Sequence, residues 1–125
     1  MKQPHLLQSF RHAWDGWCHA FRTQRNLRIH VAVGGLVAVL AAWLRLDFVK
    51  CSILALTIGA VLACELFNPA LEAVIDLLSP EYHARAKVAK DVAAAAVLLL
   101  GVTSVVLGLL ILGPPLWNLI STSLS

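Results

Sequence analysis

The sequence carries little charge. Asp, Glu, Lys and Arg make up 14% of its 125 residues, against about 25% in an average soluble domain. A chain so poor in charge is not built to face water on all sides. Its net charge of +3 is too small, and its carriers too scattered, for a nucleic-acid surface. Phosphate-cradling glycine loops are missing, since neither GxxxxGK[ST] nor GxGxxG occurs, and HExxH and GxSxG are absent as well. This removes the motif-borne nucleotide-binding, metalloprotease and hydrolase classes. Cys18, Cys51 and Cys64 form no CxxC pair and no metal-ligand spacing. Cys51 and Cys64 fall on one expected helix, about 20 Å apart, and cannot bridge within a chain. Residues 1–15 hold Pro4, His5, Arg11 and His12 and no continuous apolar stretch, so a cleaved leader is not expected.

What is abundant is apolar surface, at 59% of residues, and it is gathered into long runs. Three segments, 29–46, 49–67 and 92–116, approach the roughly 20 apolar residues that a membrane span needs. The third contains no charged residue, while His30, Arg45, Lys50 and Glu65 stand near the ends of the first two. The expected architecture is an all-α, single-domain integral membrane protein over residues 1–125. Before the first span, Leu6, Phe10, Trp14, Trp17 and Phe21 recur at helical spacing. They form one apolar face of an amphipathic helix over about 5–26, suited to lie in the membrane interface. Eight of the ten Lys and Arg fall before the first span or between the second and third. The positive-inside rule therefore puts the N-terminus and the second connection in the cytoplasm.

Local signals mark the ends of the third helix. Ser79-Pro80-Glu81 has the chemistry of a helix start, with a capping hydroxyl, a proline at the first position and an acid near the positive end of the dipole. Gly113-Pro114-Pro115 is expected to end or kink that helix. Gly101, Ser104 and Gly108 put small residues on one face, as close helix packing requires.

The chemistry concentrates at the inner end of the second span. Glu65, Asn68, Glu72 and Asp76 are spaced by three, four and four, which makes one polar stripe on an apolar helix. An ionisable group as deep as Glu65 is costly unless partnered or hydrated, and it is a candidate proton acceptor. Glu72 and Asp76 lie further out, where hard carboxylate oxygens suit Mg²⁺ together with substrate phosphates. Pro69 loosens the helix at the Glu65 carbonyl. Lys90-Asp91 reaches the same surface, whereas His30 and His83, each taken alone, read as interfacial polar residues. These residues fit metal-assisted phosphoryl transfer to an amphiphilic acceptor, and they equally fit a proton- or cation-coupled carrier.

The stripe ELFNPALEAVID, residues 65–76, resembles the E-x-x-N-[ST]-A-[IL]-E-x-x-x-D signature of the small prokaryotic diacylglycerol kinase and undecaprenol kinase family. The likeness extends through Glu81-Tyr82-His83, Ala89-Lys90-Asp91 and the RNLRIH segment at 25–30. The resemblance implies an inner-membrane homotrimer with active sites shared between subunits. It would transfer the γ-phosphoryl group of ATP, with Mg²⁺, to the hydroxyl of diacylglycerol or undecaprenol. By position, Glu65 would be the general base, with Asn68 and Arg28 at the lipid. Glu72 would hold the metal, and Glu72, Glu81, Tyr82, His83, Lys90 and Asp91 would meet ATP. Two departures stand out. Gln24 occupies the position where the family usually has a second metal-binding glutamate, and Pro69 replaces a small hydroxyl residue. They motivate an alternative, a weakened kinase or non-enzymatic membrane subunit that keeps the scaffold.

Overall fold

The computed structural model describes residues 6–124, in which four helices follow one another and no strand occurs. They are α1 (Leu6–Thr23), α2 (Arg25–Trp43), α3 (Phe48–Leu78) and α4 (Ala84–Leu124). The last three are long and apolar enough to cross a membrane. α3 packs along α4 and against α2, and α1 packs mainly on α2.

The amphipathic helix expected over about 5–26 corresponds to α1; residue 5 lies outside the described residues, and residues 25 and 26 already belong to α2. Gln24 adopts an extended backbone, φ −100° and ψ 111°, and this single residue turns the chain from α1 into α2. Ala20 and Leu27 flank the corner and are buried, Leu27 completely. The apolar stripe of α1 is only partly covered. Trp17 and Phe21 stack with ring centroids 6.4 Å apart, while Phe10 and Trp14 remain 68% and 65% exposed. An open aromatic face beside membrane-spanning helices suits the lipid interface.

The turn between α2 and α3 closes without glycine. Arg45 takes the left-handed conformation, φ 49°, and the Leu46 and Arg45 N–H groups donate to the Ala41 and Ala42 carbonyls, both at 3.1 Å. This is a Schellman closure with arginine where glycine is usual. Leu46 packs on the cluster of Ala41, Leu54, Ile111 and Leu112 that joins α2, α3 and α4. Asp47 then caps α3 by accepting the Lys50 N–H at 3.1 Å. That bond and the Lys50 ammonium hold the Asp47 carboxyl below its ordinary pKa.

Two local expectations are corrected. Ser79 does not start a helix. Its N–H donates to the Ile75 carbonyl and completes α3, and its hydroxyl donates to the Glu81 carbonyl at 3.1 Å. α4 begins at Ala84, where His83 Nδ1 accepts the Arg85 N–H at 3.2 Å and does the capping that Ser79 was expected to do. Nor do Pro114 and Pro115 end α4, which continues to Leu124. The buried residues Ile111 and Leu112, with Leu116 packed beside them, hold this segment to α2 and α3 despite the lost backbone bonds. Finally, Gly101 and Gly108 touch nothing at the position of a side chain. Within the chain these glycines border clefts, and close packing on this face is not made by the chain's own helices, which leaves it to a further copy. Close approach occurs at Gly34, where an added Cβ would stand 2.9 Å from Ile58 Cγ2.

Candidate functional site

α3 is continuous through Pro69, so Glu65, Asn68, Glu72 and Asp76 do share one helix face. The Pro69 ring costs one backbone bond, and the turn around it is held instead by side chains. Asn68 Nδ2 donates to Glu72 Oε1 at 3.1 Å, a bridge that orients the Glu72 carboxylate. Glu65 is the buried charged residue of the described chain. Its Oε1 and the Asn68 Oδ1 are sealed from solvent and accept no hydrogen bond.

Opposite Glu65 stands His30 of α2, with Nε2 3.1 Å from Glu65 Oε1. The distance is within hydrogen-bond range, but the alignment that a bond needs is not met. His30, Glu65 and Asn68, with Asn26, form the polar side of a cleft of about 680 Å³. The other wall is apolar and belongs to α4, from Ala94 and Val97 to Val105 and Val106. A second, more enclosed cavity of about 330 Å³ lies deeper between α2, α3 and α4 and also touches His30. The cleft has a polar end at Glu65 and an apolar wall along α4, a lining that suits an amphiphile.

Further along α3, Asp76 pairs with Lys90 of α4. The outermost residue of the stripe thus has a partner across the connection. Asp91 pairs with Lys87 at 2.7 Å on its own helix. Glu65 and Asp76 are three turns apart, a rise of about 16 Å, so the Lys90 contact lies well outside the cleft. Glu81, Tyr82 and His83 sit in the exposed connection, Tyr82 84% exposed, and none of them lines the cleft. Arg28 points away too, donating to the Arg22 carbonyl at 3.4 Å. Gln24 is half-buried at the α1–α2 corner, and its side chain makes no capping bond, which leaves its amide oxygen available.

Two lining residues, His30 and Asn26, carried no individual weight in the sequence reading. A signal existed for His30. In an antiparallel helix pair, residues at similar distances from the turn face each other, and His30 before the α2–α3 turn and Glu65 after it lie within about one helical turn of the same level. A deep carboxylate asks for a partner at that level.

Among the described residues, no three or more His, Cys, Asp or Glu side chains gather in a metal-binding group. Mg²⁺ does not require one, because it is commonly held by one or two carboxylates and substrate phosphates. The Glu72 carboxylate, oriented by Asn68, is a hard oxygen donor that fits it.

The family model for prokaryotic diacylglycerol kinase matches residues 11–112. The chain belongs to this family. A diacylglycerol kinase of Synechocystis is 49% identical over 117 residues, 93% of this chain and 67% of the relative. An undecaprenol kinase of Bacillus subtilis is 38% identical over 111 residues, 89% of this chain and 90% of the relative. A diacylglycerol kinase of Escherichia coli K12 is 30% identical over 101 residues, 81% of this chain and 83% of the relative. As a prokaryotic diacylglycerol kinase family member, the chain is a membrane phosphotransferase with an alcohol group as acceptor. The carrier that the stripe alone left open is set aside.

Proposed function

We propose that this kinase transfers the γ-phosphoryl group of ATP to the hydroxyl of a membrane lipid, diacylglycerol or undecaprenol, at the cytoplasmic face of a bacterial inner membrane. The observation that carries this reading is the order of groups along α3. A buried carboxylate, Glu65, borders an amphiphile-sized cleft, the oriented Glu72 follows two turns outward, and Asp76 with Lys90 lies beyond it. Transfer from a water-borne nucleotide to a membrane-bound hydroxyl needs its groups in that order.

In this mechanism the lipid lies against the apolar wall of α4 with its hydroxyl at Glu65. Glu65 accepts the hydroxyl proton as the lipid oxygen bonds to the γ-phosphorus and ADP leaves with the bridging oxygen. Asn68 fixes Glu72, which would hold Mg²⁺ with help from the Gln24 oxygen. The metal, when bound, supplies positive charge against the nucleotide phosphates. Lys90 exchanges Asp76 for phosphate oxygens, at little cost because an exposed ion pair contributes about 0–1 kcal/mol. Glu81, Tyr82, His83 and Asp91 complete the nucleotide contacts. Three copies would assemble with shared sites, and the phosphorylated lipid would be phosphatidic acid or undecaprenyl phosphate.

The test is transfer of labelled γ-phosphate in mixed micelles with Mg²⁺, with diacylglycerol and undecaprenol offered separately. Glu65→Gln should lower turnover about 10²–10⁴-fold while leaving assembly intact. Retention of more than about a tenth of parental turnover would remove Glu65 as the base. The lipid that accepts label identifies the substrate, and no transfer to either would overturn the reading.

A further inference from the structure

The carboxylate at the centre of this mechanism has one basic neighbour, and it comes from another helix. Among the described residues no Lys or Arg pairs with Glu65, since Lys50, Lys87 and Lys90 engage Asp47, Asp91 and Asp76. Only the His30 imidazole approaches, at 3.1 Å from Oε1. The two side chains differ in access: that of Glu65 is 7% exposed and that of His30 31%. Oε1 is sealed and accepts no hydrogen bond, a state that is costly for a buried acceptor. Contacts of this kind are often poorly aligned before substrate arrives and tighten in the complex.

We propose that His30 is a positioning residue for Glu65. Its Nε2–H donates to Oε1, fixes the rotamer of the carboxylate and leaves Oε2 to face the lipid hydroxyl. His30 also borders both the polar cleft and the deeper apolar cavity, so the group that orients the base stands where the head and body of the lipid meet. The inference rests on Glu65 as the base. His30 exchanges no proton with the lipid and touches no phosphate. Its contribution is the geometry of the proton acceptor, and it therefore belongs to kcat.

The full-length chain is assayed in mixed micelles with dioleoylglycerol and with undecaprenol. The variants are His30→Ala, His30→Gln, His30→Met and Glu65→Gln, with His30→Ala/Glu65→Gln as the double change. His30→Ala should lower kcat about 10- to 100-fold, the usual cost of removing a group that orients a functional one, with both KM values moving less than about threefold. His30→Gln, whose amide can still donate to Oε1, should recover most of that loss, and His30→Met, of similar bulk but without a donor, should not. In the Glu65→Gln background His30→Ala should cost little more, because two residues acting as one unit are not additive. Parental kcat in His30→Ala would overturn the proposal, and so would equal losses in the Gln and Met variants, or losses that multiply in the double variant. If His30→Ala does not assemble, the Gln and Met pair decides alone. Should Glu65→Gln itself stay active, the base assignment fails first and this proposal falls with it.

Discussion

Asn68 does two things with one side chain. Its Nδ2 holds Glu72, and its Oδ1 is buried without a donor. Asn68→Ala removes the support and also relieves an unsatisfied acceptor, whose burial ordinarily costs about 1–3 kcal/mol. Activity and stability should therefore separate. We expect turnover or Mg²⁺ affinity to fall about 10–100-fold with no lowering of the thermal midpoint in detergent, both read on one preparation. Gln24 is the second residue proposed to hold the metal, and it can be tested independently. Gln24→Glu adds a carboxylate where α2 begins, a position that tolerates negative charge because the helix dipole favours it. The Mg²⁺ concentration for half-maximal transfer should drop by about an order of magnitude, and an unchanged value would separate residue 24 from the metal. Much of this locus was legible in the sequence. The 3-4-4 spacing of Glu65, Asn68, Glu72 and Asp76 fixed the shared face as soon as a helix was assumed. His30 and the Asp76–Lys90 pair were less legible, because each depends on how deep one helix sits against another.

Among the helices, hydropathy located the three membrane-crossing segments and missed their true ends. α3 runs to Leu78 and α4 over 41 residues, about 60 Å of helix against roughly 30 Å of hydrocarbon. Apolar runs stop where lipid stops, whereas backbone hydrogen bonding continues into water wherever a neighbouring helix supports it. The overhanging ends carry Asp76 and Lys90, so the extension that hydropathy could not show is part of the candidate site. Packing between elements was equally hidden. The small residues singled out on α4 border clefts, while the close contact lies at Gly34 against Ile58. Ile58 is β-branched and has little rotamer freedom in a helix, so it cannot easily make room. Gly34→Leu should push α2 from α3 and destabilise the fold by about 1–3 kcal/mol, read as a lower thermal midpoint. Gly35→Ala, with open space around it, should leave the midpoint unchanged or raise it slightly.

For the whole molecule, the accessible surface is 9836 Å², against about 6,500 Å² for a compact soluble monomer of this mass. The excess is largely apolar and lies on α1 and the long helices, where Leu36, Val39, Leu56, Leu98 and Leu109 are all exposed. Lipid can cover such faces, and so can further copies of the chain. The cleft gives a reason for the second. Glu65 borders it, yet Glu81, Tyr82, His83 and Asp91 of the same chain do not, and Lys90 is held three turns away by Asp76. A kinase site needs acceptor and donor groups within reach of one phosphoryl group, which a neighbouring copy in a closed ring can provide. Co-expression of Glu65→Gln chains with Lys90→Ala chains tests this. Each variant alone should be inactive. In randomly mixed cyclic trimers with sites shared between neighbours, about a quarter of sites would join an intact Glu65 from one chain to an intact Lys90 from the next. Recovery toward a quarter of parental activity is the expected outcome. If the mixture stays at the level of the single variants, the site is confined to one chain, and Lys90 must leave Asp76 and travel along its own α3 to serve it.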